Sequence, residues 1–381
     1  MKRICFCVLS PFTERDYIRF GIGELLSIGY SVLVIDCTPF LNARFENYIN
    51  GNQIRFKSPV VYSCYSLSSF IKKVFEFSPD WCVDILGGFS IENYLKRVLI
   101  RLSIKLKAKI IQYKLTSYPY PSLPRNQSFC RKTLNLPKSA VTYFLSLPWK
   151  IASTDRIAVG GSFDFNKFTK SNKTVVKVHN LDFDNYKKFI LKNNSIETSN
   201  TILFLDEDFP CHCDLFNLKV EPPVSEAKYF QEISNNLNFL AKKLALNPLI
   251  KLHPRANYSK SSSLYKIPIT NLDTVKAIAQ SSLVIAHCST AIQLAVLFMK
   301  PIILLIPNEL SKKSIYFKSI VKFSTFLNVP ALNSQDLEKI YKIPEVDQSN
   351  YDNYLENYVK MKSSSDKFSW EIIASEVFSK N

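Results

Sequence analysis

Three short apolar runs in the second half of the chain each end in polar residues, and they constrain the fold more than any other feature. The runs are LFL before Asp206, IKL before His253 and VIA before His287. Runs of this length, rich in branched and aromatic residues and separated by amphipathic stretches, are typical of buried parallel strands joined by helices. Residues just beyond the carboxyl ends of parallel strands line one crevice, where ligands bind. We therefore expect six side chains to converge there: Asp206, Glu207, His253, Arg255, Ser289 and Thr290.

The first half of the chain repeats this alternation of strand and helix. Apolar runs at 3–9, 30–36, 81–86 and 109–115 predict strands, and the stretches at 11–28, 66–77 and 91–106 have helical spacing. This pattern predicts an α/β fold with doubly wound sheets. The chain has 8 glycines, no G-x-G-x-x-G after the first strand and no G-x-x-x-x-G-K-[ST]. Dinucleotide binding and P-loop chemistry are therefore disfavoured.

The length of the chain predicts its division into domains. A chain of 381 residues most naturally forms two domains, each with its own core. A polar, asparagine-rich stretch at 187–200 is the candidate linker. We predict a first Rossmann-like domain at 1–195, a second at 196–345, and a C-terminal segment at 346–381 whose last amphipathic helix packs back toward the first domain.

Composition excludes several classes of protein. Hydrophobic residues make up 46% of the chain, and no apolar run reaches the roughly 18 residues of a membrane span. The start, MKRICFCVLS, is basic and then apolar but has no small-residue cleavage site, so it predicts a first strand rather than a signal peptide. Nine scattered cysteines indicate a reducing cytoplasm. The formal net charge of +17 implies an anionic partner.

The acidic strand end at Asp206 is the candidate for proton abstraction. A carboxylate there can take a proton from an attacking hydroxyl, although the same residues could cap a helix or bind a cation. Side chains alternate along an extended chain, so Asp206 should point into the crevice and Glu207 away from it. We therefore assign Asp206 as the general base, with Glu207 as the second candidate.

Two further motifs suit an anionic group such as a phosphate. The imidazole of His253 and the guanidinium of Arg255 flank Pro254, and both donate hydrogen bonds to anionic oxygens. Ser289 and Thr290 precede a helical run and should cap that helix. The backbone N–H groups at the start of the helix would also bind an anion.

Other polar side chains are candidate substrate contacts. The run Cys211-His212-Cys213-Asp214 has no second pair to complete four zinc ligands, so a structural or substrate-contacting role fits His212 and Asp214 better. We predict no metal. A second cluster, His179, Asp182 and Asp184, follows the strand-like run near residue 175. It could either line the site or form a turn before a helix. The last candidate substrate contact is His287.

The motifs FLDEDFPCHCD, KLHPR and AHCSTAIQLAVLFMKP together resemble those of the bacterial GT-B sialyltransferases and related CMP-sugar glycosyltransferases of surface-polysaccharide loci. These are an acidic motif, an HP motif and a Ser/Thr motif, and the resemblance is clearest over 206–301. It implies two Rossmann-like domains facing a central cleft, metal-independent transfer and no cofactor. The implied donor is a CMP-activated acidic sugar: sialic, legionaminic or pseudaminic acid, or Kdo. One departure is Asp208, where many sialyltransferases have glycine.

The same resemblance implies a role for each matched residue. Asp206 or Glu207 would deprotonate an acceptor hydroxyl, which attacks the anomeric carbon as CMP leaves. His253 and Arg255 would meet the cytidylyl phosphate, and the Ser/Thr pair would hold phosphate or the sugar carboxylate. The acceptor would be a glycan or lipid-linked oligosaccharide of a capsule, O-antigen or lipooligosaccharide.

Two other functions remain open. A UDP-sugar or polyol-phosphate transferase of the same fold could use similar HP and Ser/Thr motifs. A non-catalytic nucleic-acid module would need a stripe of basic and aromatic residues, whereas the basic residues here are dispersed, so we expect no nucleic acid partner. We expect instead peripheral contact with the anionic inner membrane. The basic residues involved would lie on and beside first-domain helices: Lys72, Lys73, Lys96, Arg97, Arg101, Lys105 and Lys107.

Overall fold

The computed structural model describes most of the chain. The described residues are 2–43, 56–86, 94–114, 118–119, 153–170, 174–193, 195–212, 215, 220–254 and 264–379. Two predicted site residues, Asp214 and Arg255, lie outside these ranges. Within the described ranges, no helix is both long enough and apolar enough to cross a bilayer.

Seven parallel strands form the first sheet of the described chain. They are β1 (Arg3–Val8), β2 (Ser31–Asp36), β3 (Val61–Ser63), β4 (Trp81–Ile85), β5 (Lys109–Lys114), β6 (Arg156–Val159) and β7 (Val175–Lys177). Their order across the sheet is β3-β2-β1-β4-β5-β6-β7. The chain therefore runs outward from β1 to one edge, returns to the centre and runs to the other edge. This is the doubly wound arrangement predicted from the sequence.

Helices cover both faces of this sheet. They are α1 (Glu14–Arg19), α2 (Ile22–Ser27), α3 (Thr38–Leu41), α4 (Leu67–Phe77), α5 (Tyr94–Lys105), α6 (Ser162–Thr169) and α7 (Leu181–Lys192). The residues of β1 show why two layers form. Ile4, Phe6 and Val8 pack on one face of the sheet, and Cys5 and Cys7 pack on the other.

Five parallel strands form the second sheet. They are β8 (Thr201–Leu205), β9 (Asn247–Lys251), β10 (Leu283–Ala286), β11 (Ile302–Leu305) and β12 (Ala331–Leu332), in the order β12-β11-β10-β8-β9. The helices around it are α8 (Glu226–Leu244), α9 (Thr274–Gln280), α10 (Ile292–Leu297) and α11 (Ile315–Leu327). The strand β8 lies between β9 and β10, so the three strands that carry the predicted motifs are neighbours.

The C-terminal segment contacts both domains. It contains α12 (Gln348–Tyr354) and α13 (Ser369–Ile373), each continued by a π-helical turn. The hydroxyl of Tyr351 donates to the carbonyl of Lys300 in the second domain at 2.9 Å. The indole N–H of Trp370 donates to the carbonyl of Arg19 in the first domain at 3.0 Å. Gly21, with φ +56°, splits the helix predicted over 11–28, and a Cβ there would lie 2.5 Å from the indole of Trp370.

Two of the basic residues expected to face lipid are buried instead. Arg97 and Arg101 are 4% and 2% exposed, because they lie on the side of α5 that packs against the sheet. Arg101 forms an ion pair with Asp84 in β4. The predicted membrane contact is therefore wrong for these two residues, whereas Lys96 and Lys107 are exposed.

Candidate functional site

The carboxyl ends of β9, β8 and β10 bring the three predicted motifs to one edge of the second sheet. Leu205 pairs with Lys251 on one side and with Ala286 on the other. The residues that follow these three strands are therefore adjacent at this edge: 206–208, 252–254 and 287–290.

Glu207 connects two of these strand ends. Its Oε1 accepts a hydrogen bond from the backbone N–H of Cys288, 2.6 Å away, and the thiol of Cys288 lies 3.5 Å from Oε2. The residue is partly exposed, and burial of its carboxyl group raises the pKa of Glu207 to about 7. Glu207 is therefore a fixed carboxyl group that can exchange a proton near neutral pH.

Asp206 points into the second domain rather than into the crevice. It is 3% exposed, and its Oδ1 accepts hydrogen bonds from the N–H of Asp208 at 2.9 Å and the hydroxyl of Tyr229 at 2.7 Å. The N–H of Asp206 donates to the carbonyl of Lys251 at 3.0 Å, so the backbone of Asp206 is held against β9 where β8 ends. Its side chain accordingly meets α8. The expected orientations of Asp206 and Glu207 are therefore wrong.

His287 lies beneath the same edge. Its Nδ1 donates to the carbonyl oxygen of Leu305 at 2.7 Å, and its Nε2 lies 3.1 Å from the hydroxyl of Tyr229. The ring stacks on Phe209 with 4.5 Å between centroids, and complete burial lowers the pKa of His287 to about 4. The expected substrate contact of His287 is therefore wrong. The imidazole is instead a buried neighbour of the Tyr229 hydroxyl that holds Asp206.

His253 and His212 face each other at the end of β9. Their ring centroids are 4.7 Å apart, with the planes inclined by 57°. Both residues are partly exposed, and Pro254 is exposed. Two imidazoles here can offer N–H donors to an anion. Arg255, a predicted phosphate contact, and Asp214, a predicted substrate contact, lie outside the described residues.

Ser289 and Thr290 form a short turn between β10 and α10. The hydroxyl of Ser289 accepts a hydrogen bond from the N–H of Ala291 at 3.2 Å. The helix begins at Ile292 with Ala291 as its N-cap and no side-chain cap. The expected capping by Ser289 and Thr290 is therefore wrong, because the serine hydroxyl closes a turn just before the helix. Both residues are partly exposed and can contact a ligand at this edge.

His179 and Asp184 contact the C-terminal segment, and Asp182 lies beside them in the sequence. The Nε2 of His179 lies 2.9 Å from a carbonyl oxygen of that segment, and Asp184 accepts from the N–H of Ser369 at 3.1 Å. Burial lowers the pKa of His179 to about 4 and raises that of Asp184 to about 6. Asp182 is buried in the first turn of α7, whose N-cap is Asn180. The cluster therefore begins a helix, although Asp182 and Asp184 lie in the first turn of α7 rather than in a turn before it.

Asp208 combines burial with an unfavourable backbone conformation. Its φ is +50°, it is 0% exposed, and neither carboxyl oxygen has a hydrogen-bond partner among the described residues. Burial raises the pKa of Asp208 to about 8. Because the left-handed region favours glycine, the turn is one in which a glycine would fit without strain. The departure noted in the sequence therefore falls on the residue with the special backbone angle.

Sequence reasoning missed two residues that shape the site. Tyr229 is one of several aromatic residues on the core face of α8, and nothing in its spacing marks it as a partner of Asp206. Cys288 acts through its backbone N–H, which any residue could supply. The register of β8 against β10 could have indicated Cys288, but only once the two strands were known to be neighbours.

No family model matches the sequence, and no curated protein matches it. Solved structures do resemble it in fold. The chain is similar to the wall teichoic acid polymerase TagF (TM-score 0.55, 12% identity, 95% of this chain and 85% of that chain). It is also similar to a protein from Listeria monocytogenes described as a UDP-N-acetylglucosamine 2-epimerase (TM-score 0.51, 9% identity, 100% and 98%).

Two parallel-sheet α/β domains and these structural neighbours define the class of the fold. The chain has a GT-B fold, with two Rossmann-like doubly wound domains, as the sequence predicts. At identities of 9% and 12% the likeness describes the architecture and leaves the reaction to be argued from the site.

Proposed function

We propose that the protein is a glycosyltransferase that uses a nucleotide-activated donor. The donor binds at the carboxyl edge of the second sheet. The observation that carries this proposal is the position of Glu207, which is bonded to Cys288 and lies in the same edge as His253 and Ser289. This places a carboxyl group with a pKa near neutral beside groups suited to an anionic phosphate.

In this proposal Glu207, rather than Asp206, is the general base. A base must reach the proton that it removes. Glu207 is partly exposed, whereas Asp206 is buried and bonded to Tyr229. Glu207 takes the proton of the acceptor hydroxyl as the acceptor oxygen forms its bond to the transferred group. The bond between that group and the nucleotide oxygen breaks, and its electron pair stays on the nucleotide oxygen.

The leaving nucleotide is stabilised by the groups around that carboxyl. His253 and His212 offer imidazole N–H donors, and the turn at Ser289 and Thr290 offers hydroxyls. Arg255 takes the role that the sequence resemblance implies for it, as a second charged donor to the phosphate. Hydrogen-bond donors positioned in this way usually make the largest single contribution to lowering the energy of the transition state.

Two donor classes follow from different observations. The sequence resemblance indicates a CMP-linked acidic sugar. The structural neighbours favour a UDP-sugar or polyol-phosphate donor, since the named proteins include TagF, one structure of which was soaked with CDPG, and a UDP-N-acetylglucosamine 2-epimerase. Charge also favours the second class, because a donor carboxylate near ionised Glu207 would be repelled.

The test combines binding with turnover. Thermal unfolding is followed with CMP, UDP, CDP and GDP, because a ligand bound by the native state alone raises its stability. Release of the selected nucleotide from its activated sugar or polyol is then measured with and without a glycan acceptor. Release that requires the acceptor is expected. Release that ignores the acceptor would point to hydrolysis or epimerisation, and no response to any nucleotide would contradict the proposal.

A further inference from the structure

The first domain contains a cluster of buried thiols that the reaction above does not use. The sulfur atoms of Cys5, Cys7 and Cys82 all lie within 4.8 Å of one another, and those of Cys7 and Cys82 are 3.4 Å apart. Cys5 and Cys82 are paired in register on β1 and β4. Side chains two apart on a strand share a face, so Cys7 joins them. All three are 0% exposed.

Two more thiols extend the cluster toward the end of the sheet. Cys37 and Cys64 belong to the same packed cluster. The thiol of Cys37 donates to the carbonyl of Ile35 at 3.8 Å, and the thiol of Cys64 donates to the carbonyl of Ser66 at 3.2 Å. Five of the nine cysteines of the chain therefore form one continuous group in the layer between the first sheet and its helices. Isolated buried cysteines act as small apolar side chains, but that role does not require them to touch one another.

We propose that Cys5, Cys7 and Cys82 bind a soft metal ion of the Zn²⁺ or Cd²⁺ type through their three thiolates. Thiolates select such ions over magnesium or calcium. With metal–sulfur bonds of about 2.3 Å, the sulfurs of a tetrahedral site lie roughly 4 Å apart. The distances between the thiols, from 3.4 Å to no more than 4.8 Å, bracket that value.

Metal binding by these thiols would place a negative charge in a buried layer of the protein. Each thiol that binds the metal loses its proton to solvent, so three thiolates and one divalent ion leave a net charge of −1. Asp84 is paired in register with Cys7, and the buried guanidinium of Arg101 binds Asp84 on that same face of the sheet. The buried Arg97 is on the same helix. Cationic groups therefore share the layer in which the negative charge would form, which reduces its cost.

A competing thiol group in the chain supplies the control. Cys211 and Cys213 flank His212, whose ring faces His253. A metal bound there would involve different cysteines from those of the buried cluster. Replacing Cys211 and Cys213 together by alanine leaves the buried cluster unchanged, whereas Cys7→Ala or Cys82→Ala removes a sulfur from it while keeping a small apolar side chain.

The experiment measures metal content and cadmium binding under reducing conditions. Protein expressed with added zinc should retain one equivalent of metal per chain. Cd²⁺ added after zinc removal should produce thiolate-to-cadmium charge-transfer absorption at one equivalent and raise the thermal unfolding temperature. Both effects should persist in the Cys211→Ala/Cys213→Ala variant and disappear in Cys7→Ala and Cys82→Ala, each checked for folding by circular dichroism.

Three outcomes would overturn the proposal. The wild-type protein could hold no metal, the Cys7→Ala and Cys82→Ala variants could bind Cd²⁺ as the wild type does, or the signal could disappear in the Cys211→Ala/Cys213→Ala variant. If neither cluster variant folds, the last comparison still decides, because it needs only the wild type and the control. Nucleotide binding is measured on the same samples, so failure of the metal site is distinguishable from failure of the proposed function.

Discussion

The hydroxyl of Tyr229 lies 2.7 Å from Oδ1 of Asp206, so the carboxyl group that ends β8 is fixed to a helix of its own domain. The same hydroxyl lies 3.1 Å from the Nε2 of His287. Two buried polar groups therefore contact one hydroxyl. This arrangement makes Asp206 part of the framework of this edge, whereas Glu207 is partly exposed there.

The first prediction follows from that contact. Tyr229→Phe removes the hydroxyl and leaves polar atoms of Asp206 and His287 buried with one partner fewer. We expect a loss of about 1–3 kcal/mol in the free energy of unfolding, measured by urea titration. Tyr341→Phe is the matched control, because Tyr341 is 81% exposed and its change should lie within about 0.5 kcal/mol. Equal stability of the two variants would contradict the role given to Tyr229.

The second prediction separates the two acidic residues. Glu207→Gln keeps the shape of the side chain but cannot accept a proton, so kcat should fall by about 10²–10⁴ while nucleotide binding is retained. Asp206→Asn should act mainly on stability. Steady-state kinetics and calorimetric nucleotide titration measure the two effects. If Asp206→Asn loses kcat and Glu207→Gln does not, the base is Asp206, as the sequence alone suggested.

The third prediction concerns pH. Because the pKa of Glu207 is raised to about 7, its basic form becomes populated as pH rises through that value. We therefore expect kcat to increase from pH 6 to pH 8 and then to level off. The profile is measured with a saturating donor. A kcat that is constant over this interval would show that Glu207 is not the group whose ionisation limits the reaction.

The fourth prediction concerns the strain at Asp208. With a pKa raised to about 8 in the folded state, this carboxyl group keeps its proton between pH 4 and 8 while the unfolded chain loses it. The wild-type protein therefore loses stability from this group as pH rises. Asp208→Gly removes the carboxyl group and the strain of φ +50°, so it should stabilise the protein by about 1 kcal/mol or more, and by more at pH 8 than at pH 5.

The control for that substitution is Ala245→Gly. Ala245 is exposed and has φ +53°, so it shares the backbone strain but has no ionisable group. Its effect on stability should be independent of pH. The two variants are compared by urea unfolding at pH 5 and pH 8. An Asp208→Gly gain that is the same at both pH values would refute the buried carboxyl group as its cause.

The fifth prediction concerns the phosphate. His253→Ala removes one donor at the end of β9, and nucleotide affinity and turnover should fall by roughly ten- to a thousandfold. Isothermal titration with the nucleotide selected in the thermal screen measures the first effect. Wild-type affinity in this variant would show that the phosphate lies elsewhere.

The strands could be predicted from sequence because their apolar runs are short and separated by polar turns. The direction of Asp206 could not, because it depends on a tertiary contact with Tyr229 of α8. The burial of Arg101 could not be predicted either, since Arg101 is on α5 and its partner Asp84 is in the strand β4. Local periodicity reports which face of an element is apolar, but it does not report which charged residue finds a buried partner of opposite sign.

The buried arginines show the same limit in the membrane prediction. Basic residues at helical spacing are usually solvated, and a sequence without tertiary contacts gives no reason to separate Arg97 from Lys96. In the folded protein the first is 4% exposed and the second is exposed. Contact with anionic lipid remains a prediction, and it now depends on the lysines of the predicted set without these two arginines.

The C-terminal segment gives the molecule a second crossing between its domains. The chain passes from first to second after α7 and returns between Tyr351, bonded to Lys300, and Trp370, bonded to Arg19. Separation of the two domains would therefore have to break contacts at both crossings. It would also have to break the packing of Tyr186 and Phe189 of α7 on Phe298 of the second domain.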